Sequence, residues 1–311
     1  MVYKRVLFYF AIFISTSLIA QPNNIYSFTI GKEVTITIDQ PIGIASSKKE
    51  VILILYALPN GNTTAQTMGK KIEIGDDWHF DIQHIKAQTQ FIRNQLTHKN
   101  IVVAYLENNL KSWPAWKQRN LNYSYEIKKI VDTITSLFVK PRIYLNGHSG
   151  GGSFIFGYLK YFDTIPNNID RISFLDSNYG YDSSYTRKLV HWLHDKKHHL
   201  NVFAYNDSVA LYNEKLIVSA TGGTWYRSHL MLMHLSDFYS INKIKDDSLT
   251  FYKSTNKRIH FFFKQNFDRK IYHTQQVELN GFIHSILCGT KYDSKNYGYY
   301  EPRSYSEFIN N

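Results

Sequence analysis

Asn146 to Phe154 reads NGHSGGGSF, directly after the strand-like run Arg142-Ile143-Tyr144-Leu145. A loop that only had to turn would not need three consecutive glycines beside a serine. A strand that bends straight into a helix can hold its turning residue at an exposed, strained point, provided the neighbours are small. Gly147, Ser149 and Gly151 supply the G-x-S-x-G spacing of a nucleophile elbow, with a predicted strand before it and a predicted helix, Gly150 to Tyr161, after it. Ser149 would then project its hydroxyl above the sheet edge. The Gly150 amide would stand at a helix start, where free N–H groups and the helix dipole favour negative charge. The motif lacks the G-K-[ST] ending of a phosphate loop.

The surrounding elements set the architecture. Val51 to Ala57 (VILILYA), Ile101 to Leu106 (IVVAYL), Arg171 to Leu175 (RISFL), Leu200 to Tyr205 (LNVFAY) and Arg258 to Phe263 (RIHFFF) are short apolar runs, as expected of strands buried on both faces. Tyr26 to Ile38 alternates and is rich in Thr, Ile and Val, which predicts an antiparallel pair or a bent strand. Between the runs, Asp81 to Leu96, Tyr123 to Phe138 and Ser184 to Leu193 carry apolar residues at helical spacing. Alternating strands and helices predict an α/β fold, a mainly parallel sheet flanked by helices with an antiparallel N-terminal edge. Such sheets carry their sites at the carboxyl ends of the strands.

The 311 residues allow a large core, and 43% hydrophobic with 20% charged residues is ordinary for a globular chain. The 24 Tyr, 20 Phe and 5 Trp accompany abundant Asn, Lys and Ile, so aromatic richness is read as a coding bias rather than a stacking surface. Residues 1–20 (MVYKRVLFYFAIFISTSLIA) have the positive head, apolar middle and small-residue end of a secretory signal peptide; an uncleaved anchor is the alternative. Residues 21–311 form the predicted domain. The reading is of an exported protein, periplasmic or extracellular, with no stable membrane insertion after cleavage. Cys288 is the sole cysteine, so no intrachain disulfide can form, and it is read as packing. The net charge of +11 comes from scattered residues without a basic run or nucleic-acid motif, which argues against a nucleic-acid partner. His191, His194 and His198 share a helical face but lack the glutamate partner of a catalytic zinc motif, and no metal is expected there.

Taken with its element order from about Tyr26 to Thr290, the Gly147-His148-Ser149-Gly150-Gly151 motif resembles the α/β-hydrolase superfamily, in its serine esterase and lipase form. The resemblance implies a serine nucleophile, then an acid, then a histidine in chain order, with no cofactor. It implies a second oxyanion amide from the loop after Val51–Ala57, which leaves Asn60 or Gly61 to join Gly150. The histidine follows the last strand; His284 is taken as base, with His273 as rival. Asp207, after Leu200–Tyr205, is taken as acid, with Asp176 as the variant position. The interval from Asp207 to His284 is long and suggests an insertion around 208–257. Trp113 and Trp116 stand as candidates for an aromatic wall or for core. The expected activity is cleavage of a carboxylic ester, less readily an amide, in a small-molecule or glycan substrate. An inactive α/β-hydrolase-fold binding module, for instance for polysaccharide, is the competing class.

Overall fold

The computed structural model describes residues 23–309 except 78, 246 and 247. The expected leader lies outside the described residues. The strands are β1 (Asn23–Ile30), β2 (Val34–Pro41), β3 (Val51–Ala57), β4 (Asn100–Asn108), β5 (Arg142–His148), β6 (Ile169–Leu175), β7 (His199–Tyr205), the short pair β8 (Leu211–Tyr212) and β9 (Lys215–Leu216), β10 (Ile241–Lys245), β11 (Leu249–Ser254) and β12 (Ile259–Lys264). The helices are α1 (Thr64–Met68), α2 (Ile85–Gln95), α3 (Trp113–Arg119), α4 (Tyr123–Thr135), α5 (Gly152–Tyr161), α6 (Thr186–Trp192), α7 (Thr224–Ser236), α8 (Gln275–Glu278) and α9 (Gly281–Leu287).

Ten strands form one sheet in the order β1-β2-β4-β3-β5-β6-β7-β12-β11-β10. The pairs from β4 through β3, β5, β6 and β7 to β12 are parallel. β1, β2, β11 and β10 add antiparallel edges on the two sides. The fold is thus a large mixed sheet, mainly parallel, with helices on both faces. The alternating stretch from Tyr26 resolves into two paired strands, β1 and β2. The hairpin of β10 and β11, and the helices α1, α3 and α7, had no counterpart in the sequence expectations. Each is short, amphipathic at an edge, or set in a stretch rich in Gly, Ser and Thr.

The apolar runs are continuous because the central strands face two cores. Leu53, Leu55 and Ala57 of β3 join one cluster with Trp113, Ile127, Phe154, Leu189 and Met231. Ile52, Ile54 and Tyr56 alternate into the opposite cluster with Ile85, Ile92, Phe282 and Ile283. Each fully buried large apolar side chain contributes about 1.5–3 kcal/mol relative to exposure. Trp113 and Trp116 belong to the first cluster, with Trp113 edge-on to Phe154 at 4.6 Å, so they are core and not an aromatic wall. A buried polar ladder fixes α9 to the sheet: Asn146 donates to Ser285 Oγ (2.6 Å), while Ser173 Oγ (3.1 Å) and Asn201 Nδ2 (3.1 Å) donate to the Ser285 carbonyl.

Arg93 on α2 is buried and ties the N-terminal edge to the sheet. It donates to the Asp39 carboxylate and carbonyl, each at 2.9 Å, and to the Ile101 carbonyl. Removing the guanidinium leaves the Asp39 carboxylate buried without its cation. Arg93→Met is therefore expected to cost about 3–5 kcal/mol, read as a lowered denaturant midpoint. A midpoint within error of the wild type would contradict this role.

Candidate active site

β5 is flanked by β3 and β6, so its C-terminal end opens at mid-sheet. Ser149 follows immediately with φ of 52°, a left-handed backbone that costs a non-glycine residue about 1–3 kcal/mol. The turn persists because the chain behind it packs tightly. A Cβ on Gly151 would stand 2.1 Å from the Ala57 carbonyl oxygen at the end of β3, so only glycine fits. The helix begins at Gly152, two residues later than the sequence suggests, after a tight turn over Ser149–Gly151. Gly150 faces the Asn60 side chain, with a notional Cβ 1.9 Å from Asn60 Oδ1. The two expected oxyanion segments are thus adjacent. The Gly61 N–H is spent on the Lys111 carbonyl (2.8 Å), which withdraws Gly61 and leaves Asn60.

Asp176 leaves β6 where Ser149 leaves β5: His148 and Leu175, the residues before them, are register partners. Asp176 is also left-handed, with φ of 45°, and fully buried. Its Oδ2 accepts from His273 Nδ1 at 2.5 Å, and its Oδ1 accepts from Thr224 Oγ1. The His273 tautomer is thereby set: Nδ1 carries the proton and Nε2 keeps a lone pair. His148 Nε2 donates to the His273 carbonyl (3.2 Å), and the two rings lie 4.4 Å apart. Burial, with the His273 ring alongside, holds His148 well below the usual histidine range, so it stays neutral in this role. Ser149, His273, Asn60, His148, His79 and Thr274 line one small cavity of about 40 Å³. Larger cavities, of about 460, 480 and 270 Å³, lie elsewhere among the described residues; the converging polar groups, not volume, single out the small one.

The structure does not bring His284 or Asp207 into this group. His284 is buried on α9 in the opposite core, stacked on Tyr299 (5.3 Å) and edge-on to Phe262 (4.7 Å). Its Nδ1 pairs with the Tyr297 hydroxyl at 3.0 Å, and burial pushes its pKa down. Its helix is apolar all round, GFIHSIL, whereas His273 sits in a polar loop, Lys270 to Gln276; that contrast was the signal in the sequence. Asp207 instead anchors the start of α7. It accepts from the amides of Thr224 (2.7 Å) and Trp225 (3.3 Å), satisfying two of the helix's free N–H groups. Thr224 also places its hydroxyl 3.2 Å from Asp207, so one side chain bridges the two acids. The elbow signal could find Ser149, but no local signal distinguishes the two strand-end aspartates.

No family model and no curated protein matches the sequence. Solved structures do. A serine-to-alanine mutant of the feruloyl esterase module from Clostridium thermocellum, complexed with sinapinate, superposes with a TM-score of 0.53 at 8% identity, over 89% of this chain and 91% of that one. The chain has the α/β-hydrolase fold. A siderophore hydrolase from Aspergillus nidulans is also similar, with a TM-score of 0.46 at 11% identity, over 86% and 94% of the two chains. In this chain the loop after β12 carries His273, and Asp176 directly follows β6.

Asp207 makes a pH signature. Burial first, then the nearby Asp176 charge, push its pKa up from 3.8 to about 6. The folded state therefore holds its proton through a range where the unfolded chain has lost it, and ionising Asp207 weakens the fold. The penalty is absent below pH about 4, grows to about pH 6, and is then constant, at about 2–3 kcal/mol. Wild type is expected to lose stability relative to Asp207→Asn across that window, measured by urea unfolding at a series of pH values. A constant difference between the two proteins from pH 4 to 7 would contradict it.

Proposed function

We propose that the protein is a serine hydrolase that cleaves a carboxylic ester through an acyl-enzyme on Ser149, with His273 as base and Asp176 as its orienting acid. The observation that carries this reading is the Asp176–His273 pair at 2.5 Å, set beside a left-handed serine in one cavity. Serine is a weak nucleophile until a base takes its proton. His273 Nε2 removes the Ser149 proton as Oγ attacks the ester carbonyl. The Asp176 carboxylate holds Nδ1–H and stabilises the imidazolium that forms. The Gly150 and Asn60 amides receive the oxyanion, in a site where fixed dipoles act without reorganising. His273 then returns the proton to the departing alcohol. Water, activated by the same imidazole, releases the acid and frees Ser149.

The small cavity suits the reacting carbonyl and the first atoms of an acyl group, with the rest of the ester at the rim. A neighbouring structure is named as a feruloyl esterase module; a small-molecule or glycan ester is the corresponding class proposed for this chain. The leader-like residues 1–20 support export, and among the described residues no helix is long and apolar enough to cross a membrane.

A fluorophosphonate probe tests the mechanism. Labelling is expected at Ser149 and absent in Ser149→Ala. Ester turnover should fall by about 10⁴-fold or more in His273→Ala and by about 10³–10⁴-fold in Asp176→Ala, while His284→Gln retains it. Intact mass of labelled protein recovered outside the cytoplasm should correspond to a chain beginning at Gln21. Full turnover in His273→Ala, or labelling that survives Ser149→Ala, would overturn the assignment.

A further inference from the structure

We propose a metal-binding site, distinct from the Ser149 cavity, formed by His284, Cys288 and Asp293 and suited to zinc. This inference is independent of the ester-hydrolase reading. His284 and Cys288 are four residues apart, at the end of α9, and Asp293 lies in the turn that follows. One donor atom from each of the three lies within 4.8 Å of the others. Tetrahedral zinc, with bonds of about 2.0–2.3 Å, holds its donors about 3.5 Å apart, so closure requires shifts of only about 1 Å. Thiolate, imidazole and carboxylate together select zinc over calcium or magnesium, which take oxygen donors.

A second observation points to a ligand. His284 and His260 are both more than nine-tenths buried, and both line the same cavity of about 460 Å³. The Nε2 of each has no hydrogen-bond partner among the described residues. Leaving a buried imidazole nitrogen unpaired costs about 1–3 kcal/mol, and two in one cavity call for an occupant. The surroundings resemble the outer support of a metal site. His284 Nδ1 lies 3.9 Å from Asp293 Oδ1 and also meets the Tyr297 hydroxyl, so ligation takes either release of Tyr297 by Nδ1 or a turn of the ring that presents the unpaired Nε2; the Gly289 amide donates to Asp293 Oδ2 at 2.8 Å. His260 Nδ1 lies 3.1 Å from Asn201 Oδ1, which orients its ring and leaves its Nε2 as a candidate fourth donor. On binding, the Cys288 thiol releases its proton to solvent, and thiolate plus carboxylate balance the divalent charge. Arg171, which donates to the Cys288 carbonyl (2.9 Å), and Lys253, at the cavity wall, are the cations nearby. The ion would fasten α9 to the segment after Gly289.

The experiment uses the full chain without a histidine tag, stripped with chelator and titrated with Co²⁺ and Zn²⁺. One Co²⁺ per chain is expected, with a sulfur-to-cobalt charge-transfer band in the near ultraviolet, displaced by Zn²⁺. Cys288→Ser should lose the band, and His284→Gln and the half-buried Asp293→Asn should each weaken binding at least tenfold. Circular dichroism and a cooperative urea-unfolding transition report that each variant is folded. No uptake by the wild type would overturn the site. So would uptake without a thiolate band, as surface histidines such as His191 and His194 would give, or a band that survives Cys288→Ser.

Discussion

The approach of the Gly151 backbone to the Ala57 carbonyl is the contact on which the rest of the site depends. It presses the start of α5 against the end of β3 and leaves no room for a side chain at that point. The chain leaving β5 must therefore reverse within one residue, and Ser149 takes the left-handed conformation that the reversal demands. Strain of this kind persists only where the surrounding packing overdetermines it. Here the packing is the apolar cluster under α5, with Phe154 against Trp113, together with the parallel pairing of β5 to strands on both sides.

The same sheet sets where the two groups that pair beside Ser149 leave it. Asp176 exits β6 level with Ser149, and the loop after β12 returns His273 over the strand ends. A second level of support comes from α7. Asp207 holds the first amides of that helix, and Thr224 at its start reaches Asp176. Two acids that look like alternatives in the chain thus do different work: one orients the imidazole, and the other anchors the helix that supports it.

What could be read from the chain follows from where information is local. The parallel sheet was legible because strands buried on both faces must be apolar throughout, as in Val51–Ala57, and because glycine is the one residue that fits beside Ala57. The histidine was not settled by chain order, since His273 and His284 both follow the last strand. Burial separates them, and it depends on α9 being bolted to the sheet through Ser285, a contact spanning more than a hundred residues. The strand-end aspartates are separated only by where Thr224 and His273 arrive in space. The β10–β11 hairpin has no such mark in the chain, because these outer strands are only partly buried and lack the continuous apolar run of the central ones.

The central claim is that the Asp176 carboxylate and the His273 ring share a short hydrogen bond. Proton NMR of the resting protein tests it directly, because an imidazole N–H held by a buried carboxylate resonates far downfield of the amides. The account predicts such a signal, lost in His273→Gln and in Asp176→Ala and kept in His284→Gln. A downfield signal that survives His273→Gln, or disappears in His284→Gln, would contradict it.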